Sequence, residues 1–394
     1  MTESRNSESQ EWEWVDDEAG LERVVRSLSR ADVLAVDTES DSMHSYFEKV
    51  CLLQFATRKD AFVVDPLALR GKLGVLAPVF ADRGIRKVFH GADYDVVSLK
   101  RDFEYEILGI FDTMVAAQCL GVDRIGLADL VQEEFGDVLE KKHSRTNWAR
   151  RPLSASELLY SYLDVKYLIE LSEAMERKLG DASVLEEAEV EFARLEERSP
   201  TPRSFDPDAY TRIRGSRDLS PQALSILREL HIMRDKQARR LDRPAFKVLS
   251  NDTLLRVARE APRAREALAG TRGVTQFVMR RHGEPILRAV ARGVERGKPP
   301  LPKKKAPRNA RLSPPQQRQI ERLKEWRKAV AADRDQPTLV VLPNHAIQEV
   351  VRVGPTDIEA LGSLPTVGEK RARLHGEAIL SIIAGPRRGR RKKA

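Results

Sequence analysis

Two acids one residue apart, Asp37 and Glu39, close the apolar run Val33-Leu34-Ala35-Val36. Such a run reads as a buried strand, and strand side chains alternate faces, so both carboxylates leave from one face with Thr38 on the other. Like charges that close repel unless a cation lies between them, and hard divalent cations take oxygen ligands of this kind. An isolated pair is more often an acidic strand end in water, so the rest of the chain must decide. Three more acidic stations follow. His90-Gly91-Ala92-Asp93-Tyr94-Asp95 places acids where an apolar strand turns into a helix, Asp112 follows Ile110-Phe111, and Tyr160 and Asp164 lie four residues apart on one helix face. Acids converging from separate elements can hold two ions about 3.5–4 Å apart, the arrangement that an in-line phosphoryl displacement uses.

The elements that must position these groups read as an α/β layer. Leu21–Ser29 has helical spacing at Leu21, Val24, Val25 and Leu28. Val33–Val36, Val50–Ala56 and Ala61–Val64 read as a three-stranded antiparallel meander with a polar turn at Thr57–Asp60. A helix is expected over Leu67–Phe80, a strand over Lys87–His90, a helix from Asp95, a strand over Ile107–Phe111 and a helix from Thr113. From Leu127 to Leu171 the pattern is helical, broken by the polar loop Lys141–Thr146 and by Pro152.

Beyond about residue 200 strand patterns fade. Arg234 matches Arg327, Pro244 matches Pro337, Leu249 matches Leu342 and Asn251 matches Asn344, while His282-Gly283-Glu284 recurs as His375-Gly376-Glu377. Every pair is separated by 93 residues (327 − 234, 337 − 244, 375 − 282). A constant register implies two copies of one small helical domain. A proline-rich basic stretch joins them, and the chain ends in a run of arginines and lysines.

The chain has 394 residues, 41% of them hydrophobic and 32% charged, enough for two or three domains with ample core. Its net charge of +8 suits a polyanionic partner. The two cysteines, Cys51 and Cys119, lie among apolar neighbours, which argues against a disulfide framework or a zinc site. No apolar run is long enough for a membrane span and no secretory h-region opens the chain, so no membrane partner and a cytoplasmic location are expected. No GxxxxGK[ST] phosphate loop occurs, which disfavours a helicase.

Taken together, Val36-Asp37-Thr38-Glu39, His90-Gly91-Ala92-x-x-Asp95, Phe111-Asp112-Thr113 and Tyr160-x-x-x-Asp164 resemble the three motifs of DEDD-type 3′–5′ exonucleases. With Trp148-Ala149-Arg150-Arg151-Pro152-Leu153 and the paired repeat, which resembles the HRDC domain, the chain is similar to the ribonuclease D family. The resemblance implies a ribonuclease H-like mixed-sheet exonuclease domain over 12–200, after a disordered 1–11. Two small all-α HRDC-like domains follow over 205–296 and 316–385, joined by the linker 297–315, with a basic tail over 386–394. It implies that Asp37, Glu39, Asp95 and Asp164 ligate two divalent cations, Mg²⁺ or Mn²⁺, and that Tyr160 is catalytic. Asp93 is the competing acid, which the motif spacing passes over. Asp112 and His90 support the site, and Leu159 excludes the histidine branch of the superfamily. The implied activity is release of nucleoside 5′-monophosphates from RNA 3′ ends, tRNA precursors among them. A DNA exonuclease and a catalytically silent nucleic-acid adaptor are the alternatives. Arg145, Arg150 and Arg151 beside the site, and Arg234, Lys236, Arg239, Arg240 and Lys247 in the first repeat, are expected to contact RNA. Ser40 departs from the family pattern, where an aromatic residue is common, and Asn147 stands where an acid is common.

Overall fold

The computed structural model describes residues 11–140, 142–143, 145–202, 204–299 and 312–384. Almost all of the expected disordered N-terminus, most of the proline-rich linker and the basic tail lie outside the described residues. By packing the chain forms two compact units, one from the described residues of 1–40, 50–200 and 311–394, the other from 41–49 and those of 201–310.

The first unit is built on a six-stranded mixed sheet. Strands β1 (Glu13–Val15), β2 (Val33–Ser40), β3 (Val50–Ala56), β4 (Ala61–Val64), β5 (Arg86–Phe89) and β6 (Ile110–Asp112) lie in the order β1-β4-β3-β2-β5-β6. The β2–β3–β4 meander is antiparallel, as its pattern predicts. The pairs β1–β4, β2–β5 and β5–β6 are parallel. Val33 to Val36 are buried on both faces because β2 is an interior strand, which is why it reads as a continuous apolar run rather than an alternation. Helix α1 (Glu18–Leu28) covers one face with Leu21, Val24 and Leu28, and its start is capped by Asp17, whose side chain accepts from the Gly20 amide at 2.7 Å.

Two sequence expectations need correction. Leu67–Phe80 is not one helix. A 3₁₀ turn at Leu73–Leu76 leads into the short α2 (Ala77–Ala81), because Gly71 takes a left-handed conformation at φ +80 and Pro78 opens a new helix. Strand β1 falls where no strand was expected; Trp12 and Trp14 alternate with acids over a segment too short to stand out, and it pairs with β4.

Helices α3 (Asp93–Phe103), α4 (Thr113–Cys119), α5 (Leu127–Phe135), α6 (Ala155–Lys166), α7 (Leu168–Asp181) and α8 (Leu185–Glu196) complete the exonuclease part. Its second core cluster lies beneath α4, α6, α7 and α8 and includes Trp148, Phe111 and Phe192.

The second unit consists of α9 (Pro221–Leu241), α10 (Ala245–Val248), α11 (Asn251–Glu260), α12 (Arg265–Gly270) and α13 (Gln276–Arg296). The loop that leaves β2 and returns to β3 belongs to it. Tyr46 is buried in its core, and the Asp242 carboxylate accepts from the amides of Tyr46 and Phe47 at 2.9 and 2.8 Å.

The C-terminal repeat is α14 (Pro314–Asp333), α15 (Thr338–Val341), α16 (Asn344–Val353), α17 (Ile358–Gly362) and α18 (Gly368–Ala384), with its own core, and it belongs to the first unit. The repeat register has a structural cause. The Arg234 guanidinium donates to the Leu249 carbonyl at 3.0 Å and to Asn251 Oδ1 at 2.8 Å. Arg327 donates to the Leu342 carbonyl at 2.8 Å and Asn344 Oδ1 at 3.0 Å. In each repeat this one arginine ties the long first helix to the start of the third.

Candidate active site

Strand β2 delivers Asp37 and Glu39 to one face at its carboxyl end, with the register slipping between Glu39 and Ser40. Helix α6 delivers Asp164. Its start is fixed by a capping box in which the Ser154 hydroxyl and the Glu157 side chain each serve the other's backbone amide, while Arg150 grips both Glu157 oxygens at 2.9 Å. Ligand oxygens of Asp37, Glu39 and Asp164 all lie within 4.8 Å of one another.

Asp95 comes from the first turn of α3 and is buried at 8% exposure. Its Oδ1 accepts from the Thr38 hydroxyl at 2.5 Å. Asp112 sets the turn that carries Asp95. Its carboxylate accepts from the amides of Gly91 and Ala92 at 3.0 and 2.7 Å and caps α4 through Met114 and Val115. His90 faces the same turn, with Nδ1 2.9 Å from the Thr113 hydroxyl, and burial lowers its pKa so that it is neutral. Asp93, by contrast, is exposed and ion-paired with Arg198 at 2.5 Å.

Electrostatics set these acids apart. Burial, then the charges of Asp95, Asp164 and Glu39, push the Asp37 carboxyl well above its usual range. Glu39 is raised by burial and then by Asp164 and Asp95. Burial raises Asp95 to about 6, opposed by the Thr38 hydrogen bond, and burial with the Asp95 charge raises Asp164 to about 7. Four carboxyls that disfavour their own ionisation form the donor set that a hard divalent cation would relieve. Gln54 strengthens the fit. It stands directly opposite Asp37 in the β2–β3 register, fully buried, with neither amide atom partnered among the described residues. That places a free donor and a free acceptor beside the acids for a hydrated ligand.

Tyr160 lies one turn before Asp164, held between Trp148 (stacked, ring centroids 6.2 Å apart) and the edge-on ring of His143 at 5.5 Å. Trp148 is 2% exposed and so anchors the tyrosine from the core. Burial first, then Asp164, Glu39 and Asp37, push the Tyr160 phenol pKa up, so its hydroxyl is protonated at neutral pH.

The expected RNA contacts divide. Arg145 and Arg150 are exposed, Arg150 while paired with Glu157. Arg151 is not available to a phosphate. It grips both Asp65 oxygens at 2.6 and 2.7 Å and donates to the carbonyls of Cys51 and Trp148, tying the approach to α6 onto the sheet. Arg234 is likewise buried in its repeat. The charge run around it suggested a surface, but helical periodicity turns this one arginine inward. Lys236, Arg239, Arg240 and Lys247 are exposed. Thr38, Gln54 and Glu157 escaped sequence reasoning. Only Glu157 had a readable signal, the Ser154-x-x-Glu157 spacing of a capping box.

Comparison with known proteins places this geometry. A 3′–5′ exonuclease family model matches residues 12–180, and an HRDC domain model matches twice, at 223–290 and 316–383, with the 93-residue offset (316 − 223). The fold and site thus define a 3′–5′ exonuclease carrying HRDC domains. Ribonuclease D of Nitrobacter hamburgensis is 33% identical over 299 residues, covering 74% of this chain and 76% of that protein. The solved catalytic core of RRP6 from Trypanosoma brucei is 29% identical, with a TM-score of 0.68, over 72% of this chain and 79% of that one. Escherichia coli RNase D shares the fold at 22% identity, with a TM-score of 0.65, over 95% and 99% of the two chains. The chain belongs to the ribonuclease D family and is a 3′–5′ exoribonuclease.

Proposed function

We propose that the enzyme removes nucleoside 5′-monophosphates one at a time from the 3′ ends of structured RNAs, tRNA precursors among them, in the cytoplasm. Asp37, Glu39, Asp95 and Asp164 would hold two divalent cations, Mg²⁺ or Mn²⁺. The observation that carries this is the cluster of Asp37, Glu39 and Asp164 ligand oxygens within 4.8 Å of one another at the end of β2, with Asp95 tied to the same strand through Thr38. When bound, such ions supply charge stabilisation to the attacking and leaving oxygens of a phosphodiester. The chain's own residues supply the rest. Thr38 spends its proton on one Asp95 oxygen and leaves the other for the site. Asp112 fixes the turn ahead of Asp95. The protonated Tyr160 hydroxyl cannot act as a base at neutral pH, so it holds a water by hydrogen bonding and orients it toward the terminal phosphorus.

The experiment is digestion of matched end-labelled RNA and DNA with Mg²⁺, Mn²⁺ or EDTA. The expected result is stepwise release of nucleoside 5′-monophosphates from the RNA 3′ end with either ion and none with EDTA. Release from the 5′ end, or activity undiminished in EDTA, overturns the reading, and faster digestion of the DNA overturns its substrate.

A further inference from the structure

At the end of the sheet away from the acids, α1 and the turn between β3 and β4 enclose a cleft of about 600 Å³. Strand β2 starts beside it and carries Asp37 and Glu39 out at the opposite end, so the cleft is no part of the candidate active site. Its walls are basic. Arg23 and Arg26 of α1 and Arg30 just beyond it are three and four residues apart, and Arg58 and Lys59 come from the β3–β4 turn.

Three acids line the same cleft, and each is already engaged. Glu13 accepts from the Arg23 guanidinium at 3.0 Å and Asp60 from the Ser27 hydroxyl at 2.6 Å. Asp32 lies 3.4 Å from Arg58, which also pairs with Glu173 at 2.6 Å. Arg26 has only an exposed neighbour, Glu22, at 3.9 Å, and the side chains of Arg30 and Lys59 have no ion-pair partner among the described residues. The turn that presents Arg58 and Lys59 is tight. The Thr57 amide donates to the Asp60 carbonyl at 2.8 Å, and the Thr57 hydroxyl accepts from the amides of Lys59 and Asp60 at 3.2 and 3.0 Å. Backbone and ion pairs thus place these cations in advance, which lowers the cost of ordering them around a ligand.

The carboxyl end of a helix attracts cations to its last turn, and that accounts for Arg26. It does not account for Arg58 and Lys59 on another element, nor for an excess of two positive charges (5 − 3) in one concavity. Guanidinium groups match the paired oxygens of phosphate, and the volume is that of a small-molecule site. Phe62, the one aromatic side chain among the described residues that line the cleft, is 5% exposed, so a base would find no ring to stack on. A ligand here is read by its phosphates.

We propose that this cleft binds a small anion carrying two or more linked phosphates, met by Arg26, Arg30 and Lys59 with Arg23 and Arg58 beside them. Two sources share that chemistry, inorganic pyrophosphate and the diphosphate of a nucleotide.

The test is isothermal titration of the full-length chain in EDTA, which keeps divalent ions from bridging phosphates to the acids of the active site. Pyrophosphate should bind with a Kd of about 100 µM or below, and orthophosphate and AMP at least about tenfold more weakly. ADP at least as tight as pyrophosphate would assign the ligand as a nucleotide, and ADP tenfold weaker would assign it as the inorganic ion. Arg30→Gln with Lys59→Gln should weaken pyrophosphate at least about tenfold and leave kcat on RNA unchanged. Arg352→Gln with Arg373→Gln removes the same charge from the C-terminal repeat and should change binding less than about twofold. No binding of pyrophosphate at about 1 mM overturns the proposal, as does orthophosphate or AMP binding within about twofold of it. An equal loss in the two double variants also overturns it, since the overall field rather than the cleft would then be responsible. Displacement of pyrophosphate by a blunt RNA duplex, with the duplex itself weakened about tenfold by the Arg30–Lys59 double variant, would give the cleft to an RNA backbone and overturn it too.

Discussion

Two groups of carboxylates, one buried and one mostly half-buried, lie within the first unit, and they are handled in opposite ways. Under the C-terminal repeat, Glu187 and Glu191 of α8 are 4% and 2% exposed, and each meets cations. Lys370 is 2.7 Å from Glu187, while Arg371 at 3.5 Å and His345 at 3.2 Å face Glu191. At the end of β2, Asp37, Glu39, Asp95 and Asp164 face one another, with Thr38 donating to Asp95, and the neighbouring charges that shift them are those of other carboxylates. The consequence is visible in their protonation. Glu191 is buried, which alone would raise its pKa, yet the close contact with His345 and the charges of Arg371 and Arg194 bring it below the usual range. The acids of the site are all raised. Acids with built-in partners hold a domain in place, and acids left without them are kept for a partner that arrives from outside.

The comparison is sharpened most by removing a charge from the unpaired group. Asp37→Asn should lower kcat on RNA by at least about 10³-fold, since the charge stabilisation that carboxylate-held ions provide is worth several kcal/mol and each tenfold corresponds to about 1.4 kcal/mol. The same variant should be no less stable than wild type in EDTA, because it relieves repulsion. Activity within tenfold of wild type would break the assignment. Tyr160→Phe keeps the ring against Trp148 and loses only the hydroxyl. Loss of a positioned acid–base or water-orienting group costs about 10²–10⁴ in rate. Single-turnover rates at saturating metal should fall within that span with KM little changed, and a loss under about threefold would remove Tyr160 from the reaction.

Removing a charge from the paired group should act on stability instead. Arg371→Ala leaves Glu191 without its guanidinium and strips donors from the carbonyls of Val340, Leu339 and Glu187. Breaking a buried pair from one side costs about 3–5 kcal/mol. Urea unfolding should show a lower midpoint, and a loss under about 1 kcal/mol would mean that the repeat is held by its apolar contacts alone.

These two groups were not equally legible in the sequence. Asp37, Glu39, Tyr160 and Asp164 could be read because their spacing is local, period two on a strand and four residues on a helix. The choice of Asp95 over Asp93 needed the family motif, and the turn geometry set by Asp112 gives it a physical reason. The repeat register was legible because Arg234 and Arg327 make the same bonds in both copies. The docking of the second repeat was not, since Arg371 meets Glu187 across 184 residues of chain and no local pattern encodes that pairing. Strand β1, the role of Arg151 and the inward turn of Arg234 were hidden for the same reason. Each depends on a partner distant in sequence or on a helix face that charge counting alone does not reveal.

The smallest effect tests the sign of the comparison through pH. The Asp95 and Asp164 pKa values are raised to about 6 and about 7, against a usual aspartate value of about 3.9 in an unfolded chain. Between those limits the folded protein binds more protons than the unfolded one, so their contribution to stability is full at low pH and is lost as pH rises through about 7. Glu191 runs the other way, its contribution present above the usual glutamate range and lost as pH falls. A divalent cation competes with the protons on Asp95 and Asp164. Its stabilisation should therefore be small at pH 5.5, where the carboxyls are largely neutral, and larger at pH 8, where they are bare. At about a hundred times its dissociation constant a ligand adds about 2.7 kcal/mol, which for a chain of this size corresponds to a few degrees in Tm. Thermal unfolding with and without Mg²⁺ should show a Tm increase of about 3–6 °C at pH 8 and under about half of that at pH 5.5. Asp164→Asn should flatten the difference between the two pH values, while Arg371→Ala should lower both curves and keep it. An equal Mg²⁺ increment at both pH values in the wild-type chain would mean that the ion meets carboxylates already ionised, and the contrast between paired and unpaired acids would fail at the point where it makes its most direct claim.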